Sequence, residues 1–518
     1  MAGHVIAPPV PAWGTAGETF QVRSPANGEV LATYPVGGER EVAAAVERAR
    51  DAAAWWAGLP WQERRLRLLA WKSHITRYMM RLATIVHDET GKPTDDATLE
   101  IVNTIFHLDW AAKNARGVLK PRHVPSGLAM INQAASVEYH PLGVIGVIGP
   151  WNYPVFTPMG SIAYALAAGN AVVFKPSELT AGTGVWLAES FTEVLHEVFG
   201  DDQPVLQVVT GLGATGGALA RSKVNKVAFT GSPVTARKVM AAAAENLTPV
   251  LAECGGKDAL IVAADADLDA AADAAAWGAM SNAGQTCVGV ERVYVMDSVY
   301  NSFLEKLNEK IGTLRPGDDE NASYGPMTLP GQLGIVDRQL RDAASRGGHA
   351  LRGGLDSVQD PYIQPVVLTD VPEDAQAAQE ETFGPLVTVR RVTSMDEAVR
   401  LANASSYALG SSVFTKSRRA GMTAARALRA GMTSVNAVIA FAAVPALPFG
   451  GTGESGFGRI HGADGLREFS RPKAITRQRM KPLVRTTTFT RRQTDMDRIV
   501  RLATVLHGRL YKPSRRRR

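Results

Sequence analysis

Short apolar runs that alternate with helical stretches restrict this chain more than any other feature. The run 142–148 closes on Gly149-Pro150-Trp151, Ala171–Lys175 follows Gly169-Asn170, and 205–209 and Lys226–Thr230 come next. Helical patterns occupy 160–168 and 180–199, and a Gly-rich turn leads into another helix before Lys226. Runs this short and apolar are strands buried on both faces, and strands alternating with helices make a parallel, doubly wound α/β sheet. The alternation resumes at Ala259 and continues to about Val435, as a second α/β domain would. With 518 residues the chain has length for more than one core.

The flanks read differently. Residues 1–36 form an irregular Pro- and Gly-rich arm with short strands. From Glu39 the pattern is helical, with Val42, Val46 and Ala49 on one face; 61–80 supplies a second long amphipathic helix, and Gly91-Lys92-Pro93 carries stop chemistry. A loosely alternating stretch at 129–140 reads as an exposed strand.

Composition narrows the setting. Two cysteines make no disulfide framework, and no Cys/His spacing holds a metal, so a reducing cytoplasm is expected. The N-terminus lacks a secretory pattern, and the apolar runs are too short to span a bilayer. The net charge is +6, yet residues 481–518 hold twelve Lys/Arg against two Asp, which leaves the rest at −4. The basicity belongs to the tail, and no nucleic-acid partner is expected for the body.

Several stretches carry possible chemistry, each with a plain structural alternative. Cys287, in Gly284-Gln285-Thr286-Cys287, lies between an Ala-rich helix and a strand; it is a nucleophile or a small buried hydrophobe. Glu253, beside Cys254-Gly255-Gly256-Lys257, is a carboxylate in an apolar stretch, open to a raised pKa and general-base work. Asn152, between Trp151 and Tyr153-Pro154, offers an oxyanion donor. Gly211-Leu212-Gly213-Ala214-Thr215-Gly216 matches a dinucleotide fingerprint, but no acidic residue follows at the required distance, so it is a packing turn or a phosphate cradle. Lys175-Pro176-Ser177-Glu178 ends a buried strand, where a carboxylate can accept both ribose hydroxyls. Phe229-Thr230-Gly231-Ser232 opens a helix whose free N–H groups suit a pyrophosphate, or is a plain N-cap.

Taken in order, and with Glu381-Thr382-Phe383-Gly384-Pro385 and Pro448-Phe449-Gly450-Gly451 added, these motifs closely resemble the NAD(P)-dependent aldehyde dehydrogenase superfamily over about residues 20–480. The resemblance implies a Rossmann-type cofactor domain (1–122 and 142–253), an α/β catalytic domain (254–455) and a small oligomerisation β element (123–141 and 456–483). Residues 484–518 remain as a basic amphipathic extension. It makes Cys287 the nucleophile, Glu253 the base that activates water for thioester hydrolysis, and Asn152 the oxyanion donor. Ile148, Trp151, Lys175, Ser177, Glu178, Gly211, Ser232, Glu381 and Phe383 become the cofactor contacts. Glu178 favours NAD+ over NADP+, because its charge repels a 2′-phosphate. A homodimer or homotetramer is implied, with a small-molecule aldehyde as substrate.

Departures from the family pattern are Pro233 and Ala236, which leave the helix start after Ser232 open to rearrangement, Cys254 in place of the usual Leu, and Gly453 in place of Lys. Tyr153, Phe156, Trp277, Thr286, Val288 and Phe441 are the expected lining of the aldehyde entrance, which points to an apolar aliphatic or aromatic substrate. Gly160 stands where succinate-semialdehyde enzymes carry a carboxylate-binding Arg. A succinate-semialdehyde activity and a non-catalytic homologue acting through its tail are the alternatives; a CoA-acylating enzyme is disfavoured by Glu253. In the tail, Met496, Ile499, Val500, Leu502, Ala503, Val505, Leu506 and Leu510 fall largely along one helical stripe with Arg498, Arg501 and Arg509 interleaved, which fits either docking on the oligomer or a peripheral membrane contact through 494–518.

Overall fold

The computed structural model describes residues 17–482, 484 and 487–508; the Arg-rich terminus and the first sixteen residues of the N-terminal arm lie outside them. A six-stranded sheet has the order Gly456–Phe457, Val250–Glu253, Lys226–Thr230, Val144–Ile148, Ala171–Lys175, Leu206–Val208. Its strands are parallel except the Gly456–Phe457 edge. From Val144–Ile148 the chain steps outward twice, then returns to add Lys226–Thr230 on the opposite side. That reversal makes a topological switch point, and the carboxyl ends of these two strands frame the crevice where open α/β sheets bind ligands.

A seven-stranded sheet has the order His349–Arg352, Val366–Thr369, Leu386–Val392, Val290–Met296, Asp258–Val262, Ser411–Phe414, Ser434–Val435, and is parallel except at its first pair. Helix Leu268–Met280 packs on it through Ala271, Ala272, Ala275 and Ala279, in one core with Val290, Val293 and Val295. Alanines at this spacing give the helix a flat face of high helix propensity. The helix carries the chain directly into Cys287.

The chain packs as two compact units, one within Met1–Leu119 and His140–Arg471, the other within Lys120–Tyr139 and Pro472–Arg518. The second contributes to a three-stranded sheet of Arg122–Val124, Gln133–Pro141 and Ser470–Gln478. It also holds helix Gln493–His507, none of whose residues is buried. Among the described residues no helix is long and apolar enough to cross a membrane.

Two local expectations need correction. The stretch 61–80 is not one helix: Trp61–Arg77 ends at Tyr78 (φ −103°, ψ 18°) and Met79–Thr90 begins there. The strand read at 129–140 is Gln133–Pro141, and it is half-buried along its length rather than exposed.

Candidate active site

Cys287 follows a turn in which Asn282, Ala283 and Gly284 all have positive φ, 53°, 55° and 71°. Two of them carry side chains, so the turn stores strain that its surroundings must hold. Gln285 does much of that holding: its side chain donates to the Asn282 carbonyl (3.0 Å) and accepts from Thr328 N–H (2.9 Å). Asn152 Nδ2 donates to the Gln285 carbonyl at 3.0 Å, two residues before Cys287. An amide nitrogen has two N–H groups, so one remains for a developing oxyanion.

The motif glycines make room for this arrangement. A Cβ on Gly256 would lie 2.5 Å from the Cys287 carbonyl oxygen, and one on Gly450 would lie 2.7 Å from Glu253 Oε1. Glu253 ends strand Val250–Glu253 and is buried, with no hydrogen-bond partner among the described residues on either carboxylate oxygen. Burial holds its pKa well above the usual carboxylate range, only partly offset by the nearby Arg459. Burial also raises the Cys287 thiol, helped by Asp258, Glu381 and Glu253. Both groups are therefore neutral until something in the site favours their ionised forms.

Cys287 and Glu253 line one cavity, about 960 Å³ with its open mouth, together with Tyr153, Phe156, Trp277, Thr286 and Val288. Cys254 lines it too, its thiol pushed up to about 12 by burial. Three expectations shift here. Phe441 is not in the wall; it is buried behind it, its ring centroid 6.4 Å from that of Phe449, which is. Gly160 is not in the wall; a Cβ there would lie 2.7 Å from His461 Nε2 and 2.9 Å from the Cδ1 of Ile460, which does line the cavity. Asn152 sits outside the lining, held on Gln285.

The switch-point groove holds Ile148, Trp151, Lys175, Ser177, Glu178 and Ser232. Lys175 is buried, with Nζ 3.4 Å from Glu178 Oε2, and desolvation lowers its pKa. Ser232 caps helix Pro233–Ala244 by accepting from Thr235 N–H at 3.3 Å, and Pro233 takes the first helical position that suits proline. The helix start is thus regular, not rearranged. Gly211 is buried at φ 149°, where a Cβ would meet Thr215 Oγ1, and it is not among the residues that line the groove. Gly213, Gly216 and Gly217 line the groove instead. Glu381 accepts from Gly256 N–H at 3.0 Å, and burial pushes its pKa up to about 8. Phe383 meets Trp151 edge-on, centroids 5.5 Å apart. Thr230 borders both the groove and the cavity, so the two spaces adjoin.

One constellation escaped the sequence reading. Lys92 and Glu100 form a fully buried ion pair at 2.8 Å. Lys92 Nζ also donates to the Asn152 carbonyl (2.7 Å), while Glu100 Oε1 accepts from Val155 and Phe156 N–H (2.7 and 3.0 Å). The pair thereby clamps both ends of the segment that bears Asn152. Its signal was Lys92 itself, read only as part of a helix stop.

The family model described as the aldehyde dehydrogenase family matches residues 13–475. The chain is 37% identical to a 4,4'-diapolycopene aldehyde oxidase of Methylomonas sp, over 88% of this chain and 85% of that one. It is 35% identical to a putative succinate-semialdehyde dehydrogenase [NADP(+)] of Mycobacterium ulcerans, over 88% and 87%. The solved lactaldehyde dehydrogenase of Escherichia coli superposes with a TM-score of 0.85 at 31% identity, covering 90% of this chain and 96% of that one. With nearly its whole length matched in sequence and in fold, this chain belongs to the aldehyde dehydrogenase family.

Proposed function

We propose that this protein oxidises an apolar aldehyde to its carboxylic acid with NAD+. The observation that carries the reading is that Cys287 and Glu253 share one apolar cavity which adjoins the nucleotide groove at Thr230. The groove fits a dinucleotide: three glycines leave its wall open, the capped helix start at Ser232 offers N–H groups to a pyrophosphate, and Lys175 and Glu178 stand at a strand end for a ribose. Bound there, the nicotinamide supplies the hydride acceptor.

The rest falls to the chain's own residues. Cys287 Sγ attacks the aldehyde carbonyl as the thiolate, its proton passing to solvent. The free N–H of Asn152 and the Cys287 backbone N–H hold the oxyanion of the thiohemiacetal. After oxidation to the thioester, Glu253 takes a proton from water, which attacks the acyl carbon and releases the acid and the thiol. The Cys287→Ala enzyme should lose aldehyde-dependent NADH formation while still binding NAD+ by titration; retained turnover sinks the assignment.

The apolar substrate is supported by the cavity wall, whose described residues include no Lys, Arg or His to receive a second carboxylate, and by the aldehyde named for the Methylomonas relative. NAD+ is supported by the Glu178 carboxylate in the groove, although Arg221 and Lys238 also border it and several relatives are named for NADP+. A cytoplasmic homodimer or homotetramer joined through 123–141 and 456–483 is part of the same reading, to be checked by light scattering. For helix Gln493–His507, Val500, Leu502, Val505 and Leu506 are exposed beside Arg498 and Arg501, which supports contact with an anionic membrane surface. Vesicles with anionic lipid should sediment the full chain but not a chain ending at 480; equal sedimentation removes that contact.

A further inference from the structure

We propose that the cavity continues onto the protein surface as an apolar collar that binds the distal hydrocarbon of a long, uncharged aldehyde; this rests on the cavity being the aldehyde site. Leu99 and Trp277 both line the cavity, yet they are 48% and 45% exposed, so its wall runs out into solvent. Leu99 lies on helix Thr94–Leu119, and Asn103, one turn later, lines the cavity as well. Phe106 follows at i+7 from Leu99, on the same face, and is 58% exposed. The helix buries its opposite face through Ala97, Ile101, Leu108 and Ala111, so folding does not require apolar residues at 99 and 106.

Across the mouth, Ala442 lines the cavity, and its carbonyl is hydrogen-bonded to His107 Nε2 at 2.9 Å. That bond holds the segment beside the Thr94–Leu119 helix, with Val444 44% exposed two residues on. Exposed apolar side chains continuous with a binding cavity are an extension of that cavity. Charge decides what kind of chain lies there. Asp96 borders the mouth and the adjoining polar pocket, which also holds Asp269 and Asp273; Lys310 is engaged with both and Lys306 with Asp269. A distal carboxylate or phosphate is repelled at such a mouth, whereas a neutral hydrocarbon loses water on Leu99, Phe106, Trp277 and Val444.

The test is kcat/KM of the full-length enzyme with NAD+ for butanal, octanal and dodecanal. A fully buried methylene is worth about fourfold, and half-burial on the collar about twofold, so dodecanal should exceed butanal by at least about tenfold. Phe106→Ser and Trp277→Ser, each made singly because both side chains are exposed, should lower the dodecanal-to-butanal ratio by about threefold or more, through KM for dodecanal. A ratio unchanged in both variants overturns the collar and leaves the aldehyde reading standing. No oxidation of any of the three aldehydes by the wild type removes that reading instead. A change of oligomeric state in either variant, seen by light scattering, assigns the face to a second copy of the chain and overturns the proposal.

Discussion

The cavity proposed for the aldehyde and the groove proposed for the nucleotide adjoin at Thr230 but are built on opposite physical plans. The cavity is made by side chains that withdraw water from two titratable groups, so that Cys287 and Glu253 are both held neutral by burial. The groove is made by backbone: strand ends at a switch point, glycines, and a helix start capped by Ser232. Chemistry is placed where solvation is poor and ionisation is costly. Recognition is placed where N–H groups and half-exposed side chains keep their hydrogen-bonding capacity.

The widest separation between the two comes from Glu253→Gln. If the cavity plan is right, this enzyme should give a burst of NADH and then turn over about 10²- to 10⁴-fold more slowly than wild type, with dinucleotide affinity unchanged. Wild-type turnover should climb as pH rises toward the raised pKa of Glu253, because the base form then accumulates; the variant should lose that climb. The stability effect has the opposite sign. The unfolded chain ionises Glu253 in the ordinary carboxylate range while the folded chain does not, so folding weakens as pH rises between the two pKa values. The Gln variant escapes that loss and should melt higher at neutral and alkaline pH, by about 1.4 kcal/mol for each pH unit that separates the folded and unfolded pKa values. A variant that melts lower throughout that range would show that the carboxylate is paired, not stranded.

How much could be read in advance follows the same division. The groove was legible because alternation places strand ends and helix starts locally: Ile148, Lys175 and Ser232 each follow from the strand beside them. Gly211 falls outside the groove lining because a glycine fingerprint states spacing, while the side its missing Cβ faces depends on Thr215 and on Gly37, far away in sequence. The cavity was legible only through the resemblance, since its walls come from Leu99, Phe156, Trp277, Ala442 and Phe449, which no local periodicity connects. Phe441 falls outside the wall for that reason. The Lys92–Glu100 pair stayed hidden because two charges eight residues apart give no sign that both are buried.

That pair gives the next test, smaller on chemistry and large on stability. Lys92→Met leaves Glu100 buried without its partner and should cost about 3–5 kcal/mol by denaturant unfolding. It also removes the shorter of two hydrogen bonds to the Asn152 carbonyl, which keeps only the one from Asn282 Nδ2 at 3.2 Å, so activity should fall even where the variant is folded. Lys92→Met with Glu100→Met removes both charges and should recover most of the stability, as apolar replacement of a buried pair does. If the pair positions Asn152, the double variant stays slow, with kcat lowered more than KM is raised. Recovery of activity along with stability would reduce the pair to a packing element.

The smallest effect belongs to the groove and bears on its recognition alone. The Glu178 side chain is 44% exposed and 3.4 Å from Lys175 Nζ, so its carboxylate is both solvated and shared with a cation. A 2′-phosphate brought beside it meets a screened repulsion, while Lys175 is divided between the two anions. Glu178→Ser removes the repulsion and releases Lys175, and the NADP+/NAD+ ratio of kcat/KM should rise by about tenfold, or about 1.4 kcal/mol. The gain should appear in KM for NADP+, with kcat little altered, because Glu178 lines the groove and not the cavity. A ratio that stays fixed, or a kcat that falls with it, would mean that groove and cavity are coupled and that their separate plans describe a single site.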